Sequence, residues 1–293
     1  DGVHLGHRRI IAELKQAAQE FDIECGVVTF DPSPQLVLHK DFPFILTPRS
    51  EKQARLAQLG LDFLEFVQFD AQLSQTSAED FVIQVILRPL RPRVIVIGYD
   101  HRFGREAKGN TDLLHSLGWK LGFEVRVVPE FRHQGEVVKS TVIRERLILG
   151  AVRQAAELLG YRYQVSGRIV SGQGLGRNLG FPTANIEVAP PEKLIPAAGV
   201  YAAYARIRPS SGDGQGTNDQ PIPCAVNIGL RPTFAGESQT VEAHLLDFPD
   251  KTLLGQQLVL EFAERLRPEV KFKTPAELKE QITRDIALAR QFL

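Results

Sequence analysis

The sequence predicts two domains of different class: an open α/β structure with a parallel sheet, then a closed or nearly closed antiparallel β-barrel with a terminal helix. Three observations carry this. In the first half, apolar strands alternate with helix-length segments, which demands crossover connections and hence parallel pairing. Near Tyr161 the pattern changes to short alternating strands separated by Gly, Pro and Asn, as a barrel requires. A capped amphipathic helix then ends the chain. The 293 residues fit two domains of ~100 to 200 residues each, here placed at 1–160 and 161–293.

In chain order, Ile10 to Phe21 repeats apolar groups at helical spacing, and Cys25 to Phe30 reads as a buried strand ending at the turn Asp31-Pro32-Ser33-Pro34. Thr47 with Pro48 marks a helix start and Gly60 its end. Asp62 to Phe69 is a strand, Ser77 starts a helix through Leu87, and Arg93 to Gly98 is another strand. A helix at Thr111 to Leu117 and the strand Glu124 to Val128 follow. Asp31 to Pro34 and Gly98 to Gly104 follow the C-terminal ends of strands, where open α/β sheets bind ligands.

Within this half, His4 and His7 lie at i, i+3 where a helix begins, and Gly6 admits a phosphate to the first-turn amides. Read alone, the pair is equally a metal half-site or two surface histidines. Ser140 reads as the N-cap of a second helix whose first turn carries Thr141 and Arg144, a guanidinium able to fork onto a phosphate. An ordinary cap with a solvated arginine is the plainer reading.

Lys plus Arg equals Asp plus Glu at 35 each, so no global field argues for nucleic acid or an anionic membrane. Cys25 and Cys224 fit no metal or redox spacing, as expected of two reduced thiols in a cytoplasmic protein. No apolar run approaches the ~20 residues of a membrane span, and no secretory signal opens the chain. There is no methionine, and the chain opens inside a motif.

In the second half, QVSGRIV, VYAAYARI, CAVNIG, VEAHLLDF and QLVLEF are the barrel strands, and Ser210 to Pro221 is a polar insertion. Thr274-Pro275-Ala276-Glu277 is a capped helix start, followed by a stripe of Leu278, Ile282, Ile286, Ala289 and Leu293 that docks on the barrel. Between the first two strands runs GQGLGRNLGFPTANI, Gly172 to Ile186. Thr183 and Asn185 are two apart, so in an extended segment both side chains share a face. A hydroxyl and an amide oxygen there suit Mg²⁺, which shares its shell with substrate phosphates. Gly172, Gly174, Gly176 and Gly180 let backbone N–H groups approach a phosphate. A glycine-rich connection with local side-chain bonds accounts for the same residues. In VEAHLL, Val241, Ala243 and Leu245 share one face, leaving Glu242 and His244 on the other.

GR-x-LGFPTAN resembles the phosphate and metal segment of riboflavin kinases, and the likeness continues through NIGLRPTF and VEAHLLDF. DGVHLGH, GYDHRFG and STVIR are similar to the adenylyltransferase half of bacterial bifunctional riboflavin kinase/FAD synthetases. The resemblance implies a Rossmann-like nucleotidyltransferase domain and a riboflavin-kinase barrel. Riboflavin plus ATP then gives FMN, and FMN plus ATP gives FAD and pyrophosphate, both with Mg²⁺. It implies that His4, His7, Gly6, Asp100, Ser140, Thr141 and Arg144 serve the ATP of adenylylation. It further implies that Gly172, Gly174 and Gly180 hold phosphate, that Thr183 and Asn185 hold the metal, and that Glu242 is the base. The resemblance also implies that Arg231 supports the substrate loop and that a further strand precedes the position of Asp1. The family often has Ser where this chain has Lys139, Phe at His101 and His at Ser33. Kinase activity alone, a non-catalytic flavin-binding regulator and a nucleic-acid-binding barrel are the competing readings.

Overall fold

A computed structural model of the chain describes residues 1–38, 44–172, 174–208, 220–233, 236–249 and 252–293, the side chains of 231–233 and 236–238 excepted. Two compact units result, Asp1–Ser140 and Thr141–Leu293.

The first unit opens with helix α1 (Leu5–Phe21), capped by His4, whose side chain accepts from the His7 N–H. Then come β1 (Gly26–Asp31), α2 (Pro34–Leu38), α3 (Arg49–Ala57), β2 (Phe63–Gln68) and α4 (Ala71–Ser74). The α3 start departs from expectation. Pro48 occupies the cap position without a side-chain bond, because the Thr47 hydroxyl accepts from Gly2 N–H at 2.9 Å and donates to Asp1 Oδ1 at 3.0 Å. Asp1 also accepts from the backbone N–H groups of Leu46 and Thr47. This turn is therefore committed to a partner far away in sequence.

Ser77 does cap the next helix: its Oγ accepts from Asp80 N–H at 3.0 Å and donates to Asp80 Oδ2 at 2.7 Å. That helix is α5 (Ala78–Phe81), a π-helical stretch Val82–Leu87, and α6 (Arg88–Leu90). The widened stretch precedes Pro89, which has no N–H to donate and crowds the turn before it. Strand β3 (Val94–Gly98), α7 (Thr111–Leu121) capped by Asn110, β4 (Glu124–Val128) and the short hairpin β5 (Arg132–His133) and β6 (Glu136–Val137) complete the unit.

The strands pair in parallel, β1 with β2 and β3 with β4. Among the described residues they form two parallel pairs, the parallel pairing the alternation predicts. Residues of both β1 and β3, among them Val27, Thr29, Val94 and Val96, line a cavity of about 710 Å³. One core cluster joins Ala78, Val82, Phe103, Leu114, Leu117 and Phe123; a second joins Val3, Ile11 and Leu56.

Helix α8 (Ser140–Ile148) begins at the unit boundary, followed by α9 (Val152–Leu159). The compact boundary falls before the change of pattern near Tyr161 because α9 buries Val152, Ala155, Leu158 and Leu159 and packs on the last barrel strand. The barrel consists of β7 (Gln164–Val170), β8 (Ala184–Val188), β9 (Gly199–Arg208), β10 (Ile222–Thr233), β11 (Gly236–Leu245) and β12 (Gln257–Arg267). Among the described residues it closes in the order β10-β11-β8-β7-β12-β9, every pair antiparallel. The short helix α10 (Leu175–Asn178) lies between β7 and β8. Cys224, Val226 and Ile228 of β10 and Val241 and Ala243 of β11 fill the interior, the alternation the sequence shows.

The last helix, α11 (Pro275–Ala289), is capped as expected, Thr274 Oγ1 accepting from Glu277 N–H. It packs on β9, β10 and β12. The expected insertion Ser210 to Pro221 lies almost wholly outside the described residues, as does the Arg231 side chain.

Candidate active sites

The barrel site is built on β11 and its two neighbours. Glu242 is directly across from Asn185 of β8 and from Asn227 of β10. Directly opposed residues in an antiparallel ladder point the same way, so these three side chains form one row on the face opposite Val241 and Ala243. Glu242 Oε2 accepts from the Thr183 hydroxyl at 3.5 Å. Thr183, Asn185 and Glu242 thus converge.

His244, on the same face, donates its Nδ1–H to the carbonyl of Pro182 at 2.8 Å. Its ring also meets Phe181 edge-on at 5.7 Å. It holds the segment that carries the two oxygen donors. Asn227 has no short-range signature, and only the strand register shows that it flanks Glu242.

The glycines divide by task. A Cβ on Gly172 would lie 2.1 Å from Asn185 Nδ2, and one on Gly176 would lie 2.4 Å from the Phe181 carbonyl oxygen and 3.2 Å from Thr183 Oγ1. These two positions leave the room that the donors occupy. Gly174 and Gly180, at φ 73° and 90°, open and close the turn of α10, with nothing within 4 Å of an added Cβ. Left-handed backbone is the reason for glycine there, and the space beside both is open.

The donor chemistry fits a hard cation. Hydroxyl, amide and carboxylate oxygens converge behind two glycine-made clearances, and Mg²⁺ takes few protein oxygens together with substrate phosphates. Among the described residues no group of three or more His, Cys, Asp and Glu makes a metal cage. A Zn-type site is therefore not what these residues build.

In the first unit, Gly2 and Val3 take φ 90° and 40°, an unusual conformation for a β-branched residue, and turn the chain into α1. His4 is buried and its ring lies 3.7 Å from that of His7. The clearance at Gly6 is filled by His4: an added Cβ would meet its imidazole at 3.1 Å and the Val138 carbonyl at 3.3 Å. Burial, with the charges of His4 and Lys52 nearby, holds the His7 pKa well below its ordinary 6.5. His7 Nδ1 is buried with no hydrogen-bond partner.

Asp100 follows β3 and pairs with Lys139 Nζ at 2.9 Å. Lys139 also sits 5.4 Å from the Tyr99 ring, whose hydroxyl donates to Glu130 Oε2. The Tyr99 and Asp100 side chains together raise the Lys139 pKa. This network crosses the C-terminal ends of β3 and β4. Ser140, expected as a cap, is instead the first residue of α8, with its hydroxyl donated to the carbonyl of Asp1 at 2.7 Å. Thr141 and Arg144 belong to the second unit. Thr141 is exposed, and Arg144 is buried, which lowers its pKa.

Comparison with known proteins bears directly on these two sites. The FAD synthetase family matches residues 1–142, and the riboflavin kinase family matches residues 159–293. The bifunctional riboflavin kinase/FMN adenylyltransferase of Escherichia coli K12 is 34% identical over 293 residues, covering 100% of this chain and 90% of that protein. The chain belongs to the bifunctional riboflavin kinase/FMN adenylyltransferase family. The protein of the same name from Haemophilus influenzae is 33% identical, with 91% of its length covered. A crystal structure named as a macrolide-efflux protein from Streptococcus pneumoniae matches the whole chain at TM-score 0.88 and 27% identity, covering 92% of that chain. Among the described residues no helix is long and apolar enough to cross a membrane.

As a member of this family the protein is a transferase that phosphorylates riboflavin and adenylylates FMN, with riboflavin, FMN and ATP as its small-molecule substrates. The family match spans both halves of the chain, which supports the bifunctional reading over kinase activity alone or a non-catalytic flavin binder.

Proposed function

We propose that residues 161–293 carry the kinase reaction and residues 1–160 the adenylylation, each through the residues singled out above, and that both run in the cytoplasm. The buried free thiols of Cys25 and Cys224 suit a reducing compartment.

In the barrel, Thr183 Oγ1 and Asn185 Oδ1 would hold Mg²⁺, and Glu242 takes the proton from the terminal hydroxyl of the ribityl chain as that oxygen attacks the γ-phosphorus of ATP, the bond from phosphorus to the β,γ-bridging oxygen breaks and ADP leaves. The bound ion neutralises charge on the transferring phosphoryl group. The turn from Gly172 through Gly180 offers backbone N–H groups to the phosphates. The observation that carries this reading is the convergence of Glu242, Asn185 and Thr183.

In the first unit, the FMN phosphate attacks the α-phosphorus and pyrophosphate leaves. His4, His7 and the first turn of α1 beside Gly6 receive the phosphates. At neutral pH, His7 does this as an uncharged N–H donor, given its lowered pKa. Asp100 and Ser140 frame the nucleotide.

The test is chromatography of products from riboflavin, ATP and Mg²⁺, run beside Thr183→Ala and Glu242→Ala. FMN and FAD from the unmutated protein, with FMN lost in both variants, support the whole assignment. FMN without FAD would overturn the adenylylation half, and no FMN would overturn the barrel site.

A further inference from the structure

A cation in the first unit stands outside every motif considered above. Lys52, on α3, lines the 710 Å³ cavity together with His7. Its ammonium reaches one acceptor, the carbonyl of Phe30 at 3.4 Å, at the C-terminal end of β1. The carboxylate beside it, Asp31, is bonded to Arg49 at 2.8 Å, and among the described residues Lys52 has no carboxylate in ion-pair contact.

Half-burying an ammonium with so weak a partner carries a desolvation cost. Burial duly lowers its pKa, the Asp31 charge opposing. The cavity is also lined by His7, whose Nδ1 has no partner. An ammonium and an uncharged imidazole therefore line one cavity, the imidazole in the first turn of α1, at the positive end of its dipole. An anion satisfies what the protein leaves open there.

We infer that Lys52 and His7 form a phosphate seat, Lys52 being a further substrate-binding residue of the adenylylation step. The inference rests on the assignment of that step to the first unit. Phosphate is the shared chemistry of the two substrates, and the seat takes either a phosphate of ATP or that of FMN.

The test measures FAD formation from FMN and ATP with the unmutated protein, Lys52→Met and Lys52→Arg. Loss of one charge-assisted contact in Lys52→Met should raise one KM about ten- to hundredfold, with FMN formation from riboflavin unchanged. Lys52→Arg should recover most of the loss. The KM that rises, for ATP or for FMN, identifies the seated phosphate. Unchanged KM values in Lys52→Met, or an Arg variant as impaired as the Met variant, would overturn the inference.

A second measurement needs no variant. Inorganic pyrophosphate should slow acetylation of Lys52 in the unmutated protein, read by peptide mass, and absence of protection counts against the seat. An unmutated protein that makes no FAD but whose Lys52 is protected would overturn the assigned step while leaving the phosphate seat standing.

Discussion

Glu242 stands directly across the ladder from Asn185, so a carboxylate and an amide from two strands share one point on the barrel face, with Thr183 completing the group. If Glu242 is the base, Glu242→Gln keeps shape and hydrogen bonding but cannot accept the proton. The kcat for FMN formation should fall by about a hundred- to a thousandfold, with the KM values for riboflavin and ATP nearly unchanged. FAD formation from supplied FMN should be unaffected. Steady-state kinetics of both reactions on one preparation check this, and a kcat loss under threefold would remove Glu242 from the role.

The clearance at Gly172 gives a second prediction. A methyl group there would lie 2.1 Å from the Asn185 amide nitrogen, closer than any real contact, so the amide must move. If Asn185 is a donor to Mg²⁺, displacing it by about 1 Å costs on the order of a hundredfold in rate. Gly172→Ala should therefore slow FMN formation strongly and raise the Mg²⁺ concentration for half-maximal activity. Gly180→Ala has open space around it and meets only the backbone cost of φ 90°. Comparing Mg²⁺ titrations of the two variants separates donor displacement from loop strain.

Much of this arrangement was legible in the sequence because the signals are local. Alternation in VEAHLL puts Glu242 opposite the core, and Thr274 followed by Glu277 caps α11 as a short-range motif should. What was not legible depends on distant partners. Thr47 reads as a helix cap, yet its hydroxyl serves Gly2 and Asp1. Asn227 gains its place beside Glu242 only through register. Lys52 on an amphipathic helix looks like any solvated lysine until the wall of the cavity is seen.

His7 makes the third prediction, about pH. Its folded-state pKa lies well below the ordinary 6.5 because the ring is buried. Between those two values the unfolded chain binds the proton and the folded chain does not, so stability rises with pH across that window. The contribution is complete above about pH 6.5 and is lost as pH falls toward the folded value, with a slope of at most about 1.4 kcal/mol per pH unit. His7→Gln removes this titration. Urea unfolding followed by circular dichroism should show a shallower loss of stability from pH 7 to 5.5 in the variant. Parallel slopes would contradict it.

The fourth prediction concerns what holds the terminal helix to the barrel. Asp285 is 5% exposed and lies in a helix face that otherwise reads as an apolar stripe. Arg267 of β12 donates to both its oxygens, Nε to Oδ1 at 3.0 Å and Nη2 to Oδ2 at 2.7 Å, and Gln281 donates to Oδ1 at 2.9 Å. Removing one partner of such a pair strands the other charge without compensation. Asp285→Ala should therefore destabilise the second unit by about 3 kcal/mol, read as a lower urea midpoint by circular dichroism and as earlier loss of FMN formation on heating. Replacing both partners by apolar groups, Arg267→Met with Asp285→Leu, leaves no charge unpaired and should recover at least half of that loss. The double-mutant cycle then reports a coupling energy between the two residues. A double variant no more stable than Asp285→Ala would mean that the helix is held by its apolar contacts, and that the ion pair contributes little to docking it.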